Sequence, residues 1–538
     1  MIIKITASYM WLPVKREAAC RKLHFYIGNE KVNEIDICLD GTDCEFYACW
    51  DVSAYIGQSM EVRIDGLDTE TLDNIFCYPE RPQNVYPFRP KIHFAPEVGW
   101  HNDPNGLVYQ DGVYHLYYQW NPYGVEWGNM HWGHAVSRDL LHWENRGLAM
   151  SPDETGTVYS GCAICDKDGV AGLGKNVLLY YYTAAGGRNE WSRNAGNLFT
   201  QRLAWSDDGG ETLQTTDRFR MENIINENRD PKVFYHAPTR AYIMVLYLDE
   251  NEFAIYRSDN LLDWEEMQRF GFPGMWECPD LFELKVEKDR KEKLEESGQT
   301  ESQKEAEKQT EAEYKWVFWS ADGYYVIGDF DGYKFTAQSE VQSAYCSKIP
   351  YAAQSFSGID GRTISVAWLR LKNTRGNYCG QMSIPAELSL KKIGNGYRIC
   401  FAPVSNQMAE HRLICESGNT SRMRIPCDGK PLQLDLAWKA NRTGRISMDI
   451  QNVEMIVDFE TARLIFRDSS NGRESVNTAI EKAENGNISL ILDQETIEFF
   501  ADDGTIYGVV ETGENVLGQS VFLQVEATDV DVSAYTLQ

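Results

Sequence analysis

The chain has 538 residues and carries 80 acidic against 52 basic side chains, a net charge of −28. Such a surface repels phosphate backbones and anionic lipid, which excludes nucleic acid and membranes as expected partners and leaves a neutral ligand unaffected. The length calls for roughly two to four domains, and the 12% of aromatic residues suits strand-rich cores and flat surfaces for sugar rings.

The opening MIIKITASYMWLPVKRE lacks the apolar run and small-residue cleavage site of a signal peptide. No stretch of about 18 apolar residues follows, so no transmembrane helix is expected. Thirteen cysteines, an odd number scattered along the chain, do not form a small secreted disulfide framework. Together these features point to a reducing cytoplasm.

Residues 1–85 read as short alternating strands (KLHFYIG, EIDICLDG, CEFYACWDVS, SMEVRIDGL) broken by Gly, Asn and Asp, a small sandwich-like β domain. The proline-rich YPERPQNVYPFRP is a linker. Residues 86–392 hold strands and hairpins at close intervals, among them DGVYHLYYQW, KNVLLYYYTA, RAYIMVLYLDENEFAIYRS and RTISVAWLRL. That spacing fits a closed all-β array, and period alone does not choose between paired sheets and a propeller. Residues 393–538 read as a second, C-terminal β-sandwich. One segment breaks the pattern. Residues 285–314 are almost wholly polar and charged with no apolar stripe, a solvent-exposed insertion that is either disordered or a loose helical hairpin.

Three acids stand in unusual contexts. Asp103 precedes Pro104-Asn105-Gly106, a rigid turn signal, and is placed either as a preorganised nucleophile or as a plain turn cap. Asp230 lies between Arg229 and Pro231, held ionised by Arg229 or merely paired with it at the surface. Glu277 lies between Trp276 and Cys278, which suggests the partial burial that suits a general acid, with Asp280 as the alternative acid. One carboxylate to attack, one acid to protonate and one to hold ring hydroxyls is the inventory that glycoside hydrolysis needs.

In order between residues 100 and 332 the chain carries Trp100-His101-Asn102-Asp103-Pro104-Asn105-Gly106, Tyr118-Gln119-Trp120-Asn121-Pro122, Trp127-Gly128, His131-Trp132-Gly133-His134, Ser160-Gly161, Arg229-Asp230-Pro231, Trp276-Glu277-Cys278-Pro279 and Phe330-Asp331-Gly332. This set resembles glycoside hydrolase family 32, the invertase, levanase and inulinase family. The resemblance implies a five-bladed β-propeller catalytic domain followed by a C-terminal β-sandwich. It implies Asp103 as nucleophile, Glu277 as acid/base and Asp230 as transition-state stabiliser, with Asn102, Gln119, Trp127, Ser160, Arg229 and Trp368 lining a fructose subsite. A retaining pair further predicts Asp103 and Glu277 carboxyls about 5–6 Å apart.

Two positions depart from the family pattern. His101 replaces Met beside the nucleophile, to hydrogen-bond at the pocket rim or simply to pack. Ile349-Pro350-Tyr351-Ala352 replaces Asp-Phe-Tyr-Ala, so a polar sugar contact is expected to be missing. The N-terminal region reads first as a packing or dimerisation module, the latter giving a homo-oligomer, and second as a sugar-binding one.

Other chemistries find little support. Cys162 and Cys165 lack a second ligand pair at zinc spacing, and His131, His134 and His142 fall in a segment that the family uses structurally. No metal and no cofactor are expected. The sequence therefore reads as an exo-acting fructan or fructo-oligosaccharide hydrolase. A narrow invertase-type sucrose hydrolase, a fructosyltransferase and a non-catalytic sugar binder are the alternatives.

Overall fold

The computed structural model describes residues 1–64, 72–287, 312–372, 376–407, 412–417, 421–439, 444–480, 485–513, 515–526 and 530–537. The charged insertion lies largely outside the described residues. Regular structure is almost entirely strand, with a single short α-helix, Glu190–Ala195, among the described residues. No helix there is long and apolar enough to cross a membrane.

The first strands form two small antiparallel sheets. Ile2–Lys4, Ser59–Ile64, Cys20–Ile27 and Glu30–Cys38 make one, and Phe46–Asp51, Tyr9–Val14 and Phe76–Tyr78 the other. Alternation puts Met10, Leu12, Leu23, Phe25, Ile35 and Ile37 in a common core. That core continues into Val98, Tyr123, Val125 and Cys379 of the following region, so these sheets are packed onto the next layer. Glu34 adds a polar tie, accepting the Glu190 backbone N–H at 2.7 Å. Cys20 and Cys38 face each other across paired strands and form a disulfide, a pairing that the sequence reading did not name.

The middle of the chain is a β-propeller. Four antiparallel meanders follow one another, opening on Gly99–Gln110, Thr157–Asp166, Arg229–His236 and Asp280–Glu287. A further antiparallel set is built from Pro350–Ser355, Thr363–Leu369, Ala386–Ile393 and Gly396–Pro403. The opening strands are innermost. Gly99–Gln110 packs against Thr157–Asp166 and Pro350–Ser355, and Thr157–Asp166 against Arg229–His236.

Second strands such as Val177–Ala185 are buried along their whole length because neighbouring sheets cover both faces. Outer strands such as Glu265–Gly271 carry the charge and face water. The ring is tied shut where Tyr378 and Cys379 pair in parallel with Gly99 and Trp100.

Two six-stranded sheets complete the chain as a β-sandwich. Leu434, Leu436, Met448, Met455, Phe466, Leu490, Phe499 and Leu523 fill the space between them. A buried polar seam joins sandwich to propeller. The His93 ring lies 3.0 Å from Asp493 and 2.9 Å from Glu498, and Tyr507 donates to Glu498 at 2.9 Å.

Candidate active site

The three acids separated by up to 174 residues in sequence meet at the inner ends of the propeller strands. Cys278 marks the meeting point. Its thiol is 3.5 Å from Asp103 Oδ2 and 3.5 Å from Asp230 Oδ2, and its backbone N–H donates to Asp230 Oδ2 at 3.1 Å. Glu277 stands beside it, with one carboxylate oxygen 3.3 Å from the Arg229 guanidinium and the other accepting the Tyr351 hydroxyl at 2.8 Å. Arg229 also approaches Asp230 at 3.8 Å.

Backbone irregularity aims these groups. Each of four inner strands shifts register at the site: between His101 and Pro104, Val158 and Gly161, Arg229 and Lys232, and Tyr351 and Gln354. Such bulges turn a side chain out of strict alternation. Asp230, Glu277, Cys278 and Ala352 all adopt positive φ, at 62°, 42°, 43° and 50°. Strain of this kind costs on the order of 1–3 kcal/mol per residue and persists where packing holds it.

Hydrogen bonds fix Asp103. Ser160 Oγ donates to its Oδ2 at 2.5 Å and Asn102 Nδ2 to its Oδ1 at 3.1 Å. Asn102 is held in turn by Trp100 Nε1 at 3.0 Å. Burial raises the Asp103 carboxyl above its ordinary range, and the Ser160 and Asn102 donors work against that rise. Burial pushes Asp230 up to about 7, with Arg229 opposing and the charges of Glu277 and Asp103 adding to it. Burial and the three surrounding carboxylates drive the Cys278 thiol well above its usual range, so it stays a protonated donor. Burial, then Glu277, raises the Tyr351 phenol, which also stays a donor.

The remaining residues named from sequence lie around this centre. Gln119 is buried and donates to the Val158 carbonyl at 3.0 Å, while its Oε1 has no hydrogen-bond partner among the described residues. Trp127 is 52% exposed and stands edge-on to Tyr159, next to Ser160. Trp368 packs edge-on against Trp100 at 5.5 Å and Tyr351 at 6.0 Å.

The structure decides two readings that the sequence left open. Asp280 is not a free acid, because Lys232 Nζ lies 3.0 Å away and Ser355 donates twice at 2.8 Å, closing a buried structural pair. His101 is fully buried against Phe94 and Tyr118, which makes it a packing residue and not a rim group. Burial lowers it to about 3, so it is neutral. In the segment that departs from the family pattern, the Tyr351 hydroxyl binds Glu277.

A cation could in principle sit among Asp230, Glu277 and Cys278, whose ligand atoms lie within 4.8 Å of one another. Arg229 already brings positive charge to both carboxylates there, and a protonated thiol is a poor ligand. Cys162 accepts from the Val233 N–H at 3.1 Å, and Cys165 neighbours Gln110, so the two thiols serve different surroundings.

Comparison with known proteins follows the same lines. The family model described as the glycosyl hydrolases family 32 N-terminal domain matches residues 93–403. A levanase from Bacillus subtilis (strain 168) is 31% identical over 483 residues, covering 78% of this chain and 65% of its own length. An extracellular exo-inulinase from Aspergillus awamori is 26% identical over 494 residues, covering 78% of this chain and 88% of its own. The crystal structure of exo-inulinase from Aspergillus awamori superposes with a TM-score of 0.71 at 23% identity, over 85% of this chain and 99% of that one. The fructofuranosidase from Schwanniomyces occidentalis complexed with fructose does so with a TM-score of 0.68 at 22% identity, over 84% and 98%. With the family model covering more than half of its length, the chain belongs to glycoside hydrolase family 32.

Proposed function

We propose that the protein is a retaining β-fructofuranosidase that releases terminal β-D-fructofuranosyl units from fructans, fructo-oligosaccharides or sucrose. The convergence of Asp103, Asp230 and Glu277 around Cys278 carries this reading. Asp103, oriented by Ser160 and Asn102, attacks the anomeric carbon of the bound fructosyl unit. Its lone pair forms the new C–O bond as the glycosidic C–O bond breaks. Glu277 gives its proton to the departing oxygen. In the second half Glu277 takes a proton from water, whose oxygen displaces Asp103 and regenerates the carboxylate.

Asp230 accepts hydrogen bonds from ring hydroxyls that tighten as the ring flattens towards the transition state. Arg229 and Tyr351 restrict Glu277 to one position. The orphan Oε1 of Gln119 is an acceptor available to a sugar hydroxyl. Family membership favours this reading over a binding-only role, since neither the attacking nor the protonating carboxyl is missing.

Fructose release should be measured from sucrose, a short fructo-oligosaccharide, inulin and levan in parallel, with Asp103→Ala and Glu277→Ala as controls. Release from the polymers is expected, with each control lowered by at least about 10³-fold. Trapping of the first-formed anomer by NMR separates retention from inversion. Wild-type-like turnover in Asp103→Ala, or an inverted product, overturns the mechanism.

A further inference from the structure

A cleft of about 650 Å³ lies between the propeller and the N-terminal region, and its lining includes Trp100 and Trp368, which touch residues of the site. Trp100 and Trp368 form its inner end. Trp100 holds Asn102, the residue beside Asp103, and Trp368 pairs across the strands with Tyr351, the donor to Glu277. Arg370 forms a side wall, with its guanidinium 4.2 Å over the Tyr351 ring. It pairs with Asp322, which accepts Trp276 Nε1 at 2.8 Å. The cleft therefore starts at the side of the site where the protonating acid stands, the side from which a leaving group departs.

The outer wall comes from the segments that join the N-terminal strands. Arg16, Glu17 and Glu45 line it, and Arg16 and Glu45 are joined at 2.6 Å while keeping part of each side chain in solvent. Three basic and three acidic side chains face the cleft, on a molecule whose net charge is −28. Balanced charge beside two indoles does not select an ion. It suits a neutral polyhydroxylated ligand, whose ring faces lie on aromatics and whose hydroxyls bond to fixed charged groups. The volume is within the range of ligand pockets.

We propose that the N-terminal region completes a leaving-group cleft that holds the second and further sugar units of a fructo-oligosaccharide, with Arg16, Glu17 and Glu45 bonding to its hydroxyls. This rests on the fructosidase reading above and extends it to substrate length. Sucrose, with a single leaving sugar, engages only the inner tryptophan end. A longer chain reaches the outer wall and gains affinity there.

The test compares kcat/KM for sucrose and for a short inulin-type oligosaccharide in wild type, Glu17→Ala and the double variant Arg16→Ala/Glu45→Ala. The double variant removes both ion-pair partners, so no lone charge is left behind. The oligosaccharide value is expected to fall about fivefold, mainly through KM, while the sucrose value stays within about twofold. Glu17→Trp, which fills the cleft without removing its ion pair, should produce the same selective loss. Equal effects on both substrates, or none on either, overturn the cleft assignment and leave the fructosidase reading standing. Wild-type protein that cleaves neither substrate overturns both.

Discussion

At the scale of single residues, the site is a balance of desolvation against donors. Asp230 shows the cost most plainly. In an unfolded chain it ionises near 3.9, whereas burial holds it at about 7 in the fold. The native state then keeps a proton that the unfolded state has released, so stability declines as pH rises between those values. Asp230→Asn removes the penalty. Its Tm is expected to exceed wild type by a few degrees at pH 8 and to match it at pH 4, while turnover drops by about 10²-fold or more. A Tm difference independent of pH would contradict the buried-charge account. Tyr351 presents a different balance. Its hydroxyl positions Glu277 without covalent work, so Tyr351→Phe should lower kcat by about tenfold with little change in KM. A variant that changed KM alone would place the hydroxyl on the sugar instead.

At the scale of elements, bulges and the propeller–sandwich seam carry the consequences. An inner strand with unbroken alternation would point each site residue back into the gap between sheets. The register shifts at His101–Pro104, Val158–Gly161, Arg229–Lys232 and Tyr351–Gln354 fall at Asp103, Ser160, Asp230 and Ala352, and Glu277 enters from the chain just before Asp280–Glu287 at positive φ. The seam depends on His93, which lies between Asp493 and Glu498. Burial alone would lower its pKa, but donation to the two carboxylates raises it to about 9. Its unfolded value is about 6.5. The stabilisation is therefore fully present below pH 6.5 and is lost as pH rises through 9. His93→Gln leaves two buried acids without their cation and should cost about 3–5 kcal/mol. Melting curves from pH 6 to 9.5 are expected to converge for the two proteins at the alkaline end, and parallel curves would refute the linkage.

At the scale of the whole molecule, the three β regions share surfaces. The N-terminal core runs into Val98, Tyr123 and Val125 of the propeller, and the His93 seam ties the propeller to the sandwich. Calorimetry should show one dominant transition, and well-separated transitions would show that the shared surfaces contribute little. Much of this was legible in order. Turn residues at close intervals and alternating aromatics specify strands locally, and the ordered motifs around Asp103, Asp230 and Glu277 named the acids. Period 2 repeats in any sheet, so it left the propeller undecided; the family resemblance implied it, and the pairing of distant strands builds it. Local context left Asp280 beside Glu277 as an alternative acid, the family resemblance pointed to Glu277, and the approach of Lys232 and Ser355 ties Asp280 into a buried pair. Tyr351 hid in a segment notable for what it lacked, because a bulge and a positive φ at Ala352 direct that stretch of chain. The N-terminal cleft wall was beyond any local reading, since Arg16 and Trp368 are brought together by packing alone. Side-chain chemistry and turn propensity are properties of neighbours in the chain, and the sequence by itself determined them. Burial, strain and which charges face one another depend on contacts between distant segments, and only the tertiary structure decided those.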